Sequence, residues 1–337
     1  MSPSEPRPLA VWAVSDGRAG IETQVRGLAE AVARRRPAEI TVKRLTYRAG
    51  LDRLPWRLRA APRLALTAES GIAPPWPDIW IAPGRATLAF STRLRRWSRG
   101  RTFVVQTQDP RGDLRAFDLV MPPTHDEVTA DNVLSILGSP NRLSDEGLAQ
   151  ALARFRDRID PLPHPRVALI VGGKSRTHDL PEALARTLAD DIGRAVAAAG
   201  GSLLVSFTRR TPAGARAILT ERLSRLPGWI WDDTGDNPYF AFLAAADIVL
   251  VTEDSTNLAC EAATAGKPLY ALPIAGGGPK FDRLHRDLRQ WGAERPFTGV
   301  LEPWTYPALD ETNRAATELL RRYDARLSGV SGRTSLA

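Results

Sequence analysis

The same succession of elements runs twice along this chain, before and after a stiff connector, and that doubling limits its fold more than any other feature. Leu9 to Val14 is a short apolar run leading into Ser15-Asp16-Gly17-Arg18-Ala19-Gly20, after which Val25, Leu28, Ala29, Val32 and Ala33 recur at helical spacing. The pattern predicts strand, glycine-rich loop, helix. Far downstream comes a polar, proline-rich connector, Asp160-Pro161-Leu162-Pro163-His164-Pro165, and beyond it the succession restarts. Val167 to Val171 reads as a strand, Gly172-Gly173-Lys174-Ser175 as a glycine-rich loop and Leu184 to Ala199 as a helix. The likeness is architectural, since the residues themselves hardly match.

In the first half Ile40 to Leu45, Ile79 to Ala82, Phe103 to Gln106 and Leu119 to Met121 read as further short strands, and Glu146 to Ile159 as a helix. In the second half Leu203 to Phe207, Trp229 to Trp231, Ile248 to Thr252 and Leu269 to Leu272 read as strands, with helices at Tyr239 to Ala245 and Leu258 to Ala265. Strands alternating with helices predict parallel sheets. The 337 residues are too many for one typical core and suit two. The expected class is therefore α/β, with two Rossmann-like, doubly wound parallel-sheet domains facing a cleft. Residues 1–160 are expected to make the first, residues 161–325 the second, and residues 326–337 a flexible tail. Open parallel sheets bind ligands beyond the carboxyl ends of their strands, and function is sought there.

Charge and cysteine usage narrow the partners. Lys and Arg number 46 against 38 Asp and Glu, a net charge of +8, and such a surplus attracts phosphate in any form, whether nucleic acid, anionic lipid or a sugar nucleotide. No C2H2 spacing, basic zipper or RNP-type aromatic motif accompanies it, so nucleic acid is not an expected partner. The lone cysteine, Cys260, excludes an intrachain disulfide and a cysteine-rich metal site. Met1 to Pro8 has no apolar signal core, and the longest apolar run, Phe240 to Val251, contains Asp247 and is too short for a bilayer. A cytoplasmic place is expected, either free or peripheral on the inner face of the membrane. For the second case the basic segment 53–64 is the candidate contact with an anionic surface. Its stretch Leu54-Pro55-Trp56-Arg57-Leu58-Arg59-Ala60-Ala61-Pro62-Arg63-Leu64 mixes Trp and Leu with arginines as interfacial segments do, though a covered amphipathic helix reads the same way.

Two stretches of the second half carry the chemistry. Gly172-Gly173-Lys174-Ser175 suits a phosphate-binding turn, because glycines let the backbone approach an anion and lysine adds charge. It is neither a Walker A loop nor the G-x-G-x-x-G fingerprint, and as a tetrapeptide it equally suits an ordinary tight turn. From Val249 to Pro268 a strand ends in Glu253-Asp254-Ser255-Thr256-Asn257, short polar residues able to cap a helix, and Glu261 follows on the face that carries Asn257. A carboxylate there can accept both hydroxyls of a ribose while the helix start receives a diphosphate. Glu261 lies among Ala and Cys, so it needs a polar partner of some kind.

The order of elements, the connector, the Gly-Gly-Lys-Ser loop and the series from strand to Gly266-Lys267-Pro268 resemble the donor domain of GT-B glycosyltransferases, among them the lipid-II-forming N-acetylglucosaminyltransferase. That resemblance implies that Glu261 holds the donor ribose. More narrowly, Ser15 to Gly20 with Gln24, Gln106 to Arg111 with Asp109-Pro110-Arg111, Ser206 to Pro212, and Thr252-Glu253-Asp254-Ser255 are similar to the mitochondrial-fission "elongated mitochondria" family, from Leu9 to about Tyr323. Its plant members are implicated in mitochondrial division as recruiters of a dynamin-type protein.

These readings combine into an expected inverting glycosyltransferase that needs no metal and no cofactor and acts on an envelope or lipid-linked acceptor. Gly173, Lys174, Ser175, Thr208, Arg209, Ser255, Thr256, Asn257 and Glu261 are its expected nucleotide-sugar ligands, with Arg209, Arg210 and Lys280 neutralising the departing diphosphate. Lys280 follows Gly276-Gly277-Gly278-Pro279, which reads as a mobile loop. Asp16 is the expected general base, Gly17, Gly20 and Gln24 lining its acceptor, and Asp109 and His125 compete for that role. An aspartate before glycine is also a common turn former. Two rival readings stand beside this one: a non-catalytic scaffold that recruits a protein partner at a membrane, and a nucleotide-sugar epimerase.

Overall fold

The computed structural model of the chain describes residues 7–48, 51 and 61–334. It divides into two compact units, one made of Met1–Arg142 together with Asp310–Ala337, the other of Leu143–Leu309.

Unit 1 runs β1 (Leu9–Ser15), α1 (Ala19–Ala33), β2 (Ala38–Arg44), β3 (Ile79–Ala82), α2 (Gly84–Trp97), β4 (Phe103–Gln106) and β5 (Leu119–Val120). All five strands are parallel, in the order β2-β1-β3-β4-β5. Side chains alternate across a strand, and here both faces are apolar. Val11, Ala13, Ile79, Ile81 and Phe103 pack under Val25, Leu28 and Val32 of α1, while Trp12, Val14, Trp80 and Val104 pack under Leu88, Phe90 and Leu94 of α2. Burial on both faces is why these strands read as continuous apolar runs. The chain order reverses between β1 and β3, so the loops after these two strands diverge and leave a crevice at their carboxyl ends.

Unit 2 opens with α3 (Asp145–Arg154) and the short α4 (Arg156–Ile159). It continues through β6 (Arg166–Val171), β7 (His178–Asp179), α5 (Glu182–Ala198), β8 (Ser202–Phe207), α6 (Ala213–Leu223), β9 (Gly228–Ile230), α7 (Tyr239–Ala245) and β10 (Ile248–Thr252). Then come α8 (Thr256–Thr264), β11 (Leu269–Leu272), β12 (Ala275–Gly276), α9 (Pro279–Trp291) and β13 (Glu294–Pro296), and α10 (Glu311–Thr334) ends the chain in unit 1. Six parallel strands lie in the order β13-β11-β10-β6-β8-β9. Val167, Leu169, Leu203, Val205, Ile248 and Leu250 pack with Leu188 and Ile192 of α5 and Leu219 of α6. Trp229 points to the other face and meets Phe242 of α7 edge-on at 5.0 Å. The order reverses between β6 and β10, which sets the second crevice beside the loops that carry the glycines and Asp254.

The α/β class and the doubly wound parallel sheets agree with expectation; the division of the chain differs from it. The helix ahead of the proline-rich connector belongs to unit 2, because Phe155, where α3 gives way to α4, packs on Trp229 at 5.5 Å and Arg158 stacks on the same ring at 3.8 Å. The boundary therefore falls at residues 142/143. The last helix returns to unit 1, where Ala315, Ala316, Leu319, Leu320 and Tyr323 complete the core beneath α1. Residues 326–334, expected in a tail, lie within α10. Of the interfacial segment, residues 52–60 lie outside the described residues; Pro62–Ala65 forms a 3-10 turn.

Gly27 shows how tightly unit 1 is closed. A Cβ on Gly27 would lie 2.1 Å from the main-chain oxygen of Asn141, so α1 meets the end of unit 1 backbone to backbone. Alanine is the better helix former, yet Gly27→Ala is expected to destabilise unit 1 by roughly 1–3 kcal/mol, read as a fall in the midpoint of chemical unfolding.

Candidate functional site

The crevice of unit 2 is built by short hydrogen bonds among three loops. Gly172, next after β6, donates its N–H to Thr252 Oγ1 at the end of β10 at 2.7 Å. Thr211, beyond β8, reaches the carbonyls of Val171 and Gly172 at 2.8 and 2.7 Å. Lys174 N–H donates to the Arg210 carbonyl at 2.8 Å. Gly173 has φ +134, and a Cβ there would crowd Arg210 O and Pro212 Cδ, both at 2.9 Å. Glycine is thus demanded twice, by backbone conformation and by the close approach of the β8 loop.

At the centre of these loops lies Asp254. Its side chain is 0% exposed, and its Oδ2 stands 2.6 Å from Arg210 Nη1, a charge contact with a side chain 37% exposed. Neither carboxylate oxygen accepts a hydrogen bond among the described residues. A Cβ on Gly172 would fall 2.3 Å from Asp254 Oδ1, so the carboxylate fills the space that the missing side chain opens. Around this buried pair Lys174 and Arg209 are exposed, with no side-chain partner among the described residues. Ser175 Oγ accepts from the N–H groups of Thr177 and His178 at 3.2 and 3.1 Å, and Thr208 Oγ1 accepts from Arg210 N–H at 3.3 Å. Ser255 caps α8, accepting from Leu258 N–H, and Thr256 and Asn257 are half-buried in its first turn.

The stretch expected as a mobile loop is anchored. Ala275 and Gly276 form β12, antiparallel to β7, and Gly277 N–H donates to Thr177 O at 2.9 Å. Pro279 then opens α9 at its first position, where a missing N–H costs nothing. Lys280 is an exposed residue of that first turn. Beneath it lies a network that the sequence reading missed: His285 Nδ1 meets Glu294 Oε2 at 2.6 Å, Nε2 meets the Glu253 carbonyl at 2.9 Å, and Arg289 Nε donates to Glu294 Oε1 at 3.1 Å. Burial alone would lower the imidazole pKa, but the Glu294 carboxylate and the Glu253 carbonyl outweigh it and the pKa is raised. Both ring nitrogens face acceptors, an arrangement that only the doubly protonated ring satisfies in full.

Glu261, the expected ribose ligand, is already engaged within the protein. It is 5% exposed and accepts from the Tyr239 hydroxyl at 2.6 Å, so α7 and α8 are tied by a buried polar pair. Burial, then the adjacent carboxylate, push the Tyr239 pKa well above its ordinary value, which keeps the phenol a donor. Arg210, expected to neutralise a diphosphate, stands as the counter-ion of Asp254.

In unit 1, Asp16 follows β1, Asp109 follows β4 and His125 follows β5, so all three lie at the carboxyl ends of the sheet. Asp16 forms the turn that its Gly17 neighbour suggests: Oδ1 accepts from Arg18 N–H at 3.2 Å, and Oδ2 takes Arg18 Nε and Nη2 at 2.8 and 2.5 Å. Asp109 accepts from Arg111 N–H at 2.8 Å, likewise a turn. His125 is buried, 4.0 Å from Asp126. Gln24 Oε1 accepts from Gln108 Nε2 at 3.0 Å, joining the β1 and β4 sides, while Gly17 and Gly20 are exposed. A second overlooked group is Glu22, buried and bound by both arms of Arg44 at 2.7 and 2.8 Å, which hold its carboxyl below the usual range.

The sequence profile of the family described as mitochondrial fission ELM1 matches residues 19–323. The chain belongs to that family. The mitochondrial fission protein ELM1 of Arabidopsis thaliana is 31% identical over 277 residues, which cover 74% of this chain and 65% of the plant protein, so the chain spans less than two thirds of that relative. Uncharacterized protein RP120 of Rickettsia prowazekii (strain Madrid E) is 25% identical over 282 residues, 71% of this chain and 78% of the relative. Among solved structures, the UDP-GlcNAc 2-epimerase of Methanocaldococcus jannaschii in complex with UDP-GlcNAc and UDP is similar with a TM-score of 0.53 and 11% identity, covering 94% of this chain and 99% of that one. The likeness is one of fold, and the fold of this ELM1-family chain is GT-B-like.

Other features of the ELM1-family chain lie apart from these residues. A cavity of about 300 Å³ between α6 and the edge strand β9, lined by Arg216, Leu223, Trp229, Trp231 and Asp232 among others, holds none of the residues expected at the site. Among the described residues no group of three or more His, Cys, Asp or Glu converges as a metal site would, and no helix is long and apolar enough to cross a membrane.

The His285 network gives a pH-dependent outcome. A pKa raised on folding adds stability that is complete below the ordinary imidazole value of 6.5 and is lost as pH rises through the folded value. His285→Gln is therefore expected to lower unfolding free energy more at pH 6 than at pH 9, as measured by urea denaturation at both; an equal loss at the two pH values would contradict the ionised ring.

Proposed function

We propose that this ELM1-family protein binds a nucleotide sugar at the carboxyl edge of the unit 2 sheet and transfers the sugar, with inversion and without a metal ion, to an envelope or lipid-linked acceptor. The observation that carries this reading is the crevice between β6 and β10, where a glycine loop, a capped helix start and two exposed cations, Lys174 and Arg209, share one sheet edge. In the proposed mechanism Lys174 and Arg209 stabilise the departing diphosphate. Ser175, Thr208, Thr256 and Asn257 supply neutral hydrogen bonds beside it. Glu261 receives the ribose hydroxyls by exchange, giving up the Tyr239 hydroxyl, a donor of the same kind.

Asp16 takes the acceptor's proton as oxygen attacks the anomeric carbon. Its Oδ2 is engaged by Arg18, whereas among the described residues Oδ1 accepts only the Arg18 N–H, so Oδ1 is the atom offered for the proton. Without an acceptor the same edge would suit an epimerase, and product analysis separates the two. Titration calorimetry against UDP, GDP, CMP and ADP sugars is expected to show saturable binding for one nucleotide class. Lys174→Ala and Arg209→Ala are each expected to weaken it about tenfold, the worth of a charge-assisted contact. Failure of the whole panel to bind would end this reading.

A second reading, a scaffold docked on an anionic membrane, is favoured by one surface of unit 1. Between Pro83 and Thr107 the chain carries Arg85, Arg93, Arg95, Arg96, Arg99 and Arg101 and no acidic residue. Arg85, Arg96 and Arg99 are exposed with no side-chain partner among the described residues. The 3-10 turn Pro62–Ala65 adjoins α2, its Arg63 lying over Trp76 and Trp97 at 5.6 and 5.9 Å and its Leu64 75% exposed. Cations around an exposed apolar side chain suit a lipid interface. Cosedimentation with phosphatidylserine vesicles at low salt is expected, with loss on changing Arg85, Arg96 and Arg99 together to Glu; wild-type protein that stays in the supernatant would dismiss the scaffold.

A further inference from the structure

We propose that Asp254 is a resident anion: its carboxylate holds the place of a phosphate between Gly172 and Arg210, and a diphosphate ligand binds by displacing it. The inference rests on the reading that phosphates are received at this edge of unit 2, and it adds the residue that sets how tightly and how selectively they are held.

Three observations lead to it. The first is the accommodation of the carboxylate. Gly172 stands where the loops of β6 and β10 part, and Asp254 Oδ1 and Oδ2 lie 2.3 and 2.4 Å from the position of an added Cβ. The room that glycine leaves for an anion is thus filled by one that the protein supplies itself. The second is the poverty of its hydrogen bonding. A fully buried carboxylate normally gathers several N–H or O–H donors, yet among the described residues neither oxygen of Asp254 accepts a hydrogen bond, and one guanidinium contact at 2.6 Å meets the charge. A carboxylate so weakly satisfied is poorly retained once another anion competes for its partner.

The third is the contrast between the fixed backbone and the unanchored side chain. On one side of Asp254, Glu253 is pinned by the Ile274 N–H on its Oε1 at 3.1 Å and by His285 on its carbonyl at 2.9 Å. On the other, Ser255 is committed to capping α8. Departure of the carboxylate therefore needs a rotation of one side chain and no remodelling of the loop. Arg210 is suited to the exchange, since a guanidinium has five N–H donors and this one, 37% exposed, has no side-chain partner but Asp254 among the described residues.

The exchange makes the site selective. With Asp254 in place the pair is neutral, so a neutral sugar gains nothing from Arg210 and a singly charged group merely replaces like with like. A diphosphate brings more charge than it displaces, and Lys174 and Arg209 receive the remainder. Removing the resident charge should relax that selection and strengthen anion binding generally.

Inorganic pyrophosphate, titrated into the full-length chain, is the probe. Asp254→Asn, which keeps shape and removes charge, and Asp254→Ser, which empties the place, are expected to bind pyrophosphate at least about tenfold more tightly than wild type, with affinity falling more steeply as salt is raised. Saturable wild-type binding that neither folded variant strengthens overturns the resident anion and leaves the site standing. Absence of saturable binding in wild type and variants alike overturns the resident anion together with the site. A crystal of the wild-type chain with bound pyrophosphate gives the answer without any variant: Asp254 rotated away from Gly172 supports the exchange, and Asp254 still lodged against Gly172 refutes it.

Discussion

A single missing side chain shapes the loops at the carboxyl edge of the unit 2 sheet. At Gly172 the backbone turns out of the sheet with no Cβ to hold neighbours away, and three loops close on that gap: Thr252 from below, Thr211 from beside, Asp254 from across. Sheet topology alone would leave a crevice between β6 and β10. The close approach at glycine turns the crevice into a fitted cradle. The arrangement of Lys174, Arg209 and the start of α8 around it follows from that contact, because the β8 loop carrying Arg209 is tied to the β6 loop by the Lys174 and Thr211 hydrogen bonds.

Two buried pairs on unit 2 obey one chemical logic. Asp254 gives Arg210 a negative charge, and Tyr239 gives Glu261 a hydroxyl donor. Each pair thus meets a buried or half-buried polar group from within the protein, a charge for the arginine and a hydroxyl donor for the glutamate. Groups so satisfied avoid the cost of an unpaired buried charge.

Much of the fold was legible because its signals are local. Strands buried on both faces, such as Val167 to Val171 and Ile248 to Thr252, read as unbroken apolar runs, and the glycine loops punctuate them in the order a parallel sheet demands. Signals that were local but ambiguous misled: Gly276-Gly277-Gly278-Pro279 reads as a loose loop, although Pro279 is also the residue that opens a helix. What remained hidden depends on residues distant in the chain. That Glu261 is covered requires Tyr239, 22 positions earlier, and that the Asp254 carboxylate is buried requires Gly172, far upstream in the loop after another strand. A run of Asp, Ser, Thr and Asn announces a helix cap and says nothing of which member turns inward. Likewise, nothing local in α10 tells which core its apolar stripe completes.

The destination of α10 bears on the order in which the protein can be made. Unit 2 is one uninterrupted span, whereas unit 1 needs Ala315, Ala316, Leu319, Leu320 and Tyr323 from the far end of the chain. During synthesis the ribosome releases everything unit 2 requires while the first sheet still lacks the helix that roofs one side of it. The early-made half must therefore wait, with apolar surface uncovered, and it closes only once α10 has followed unit 2 out of the ribosome.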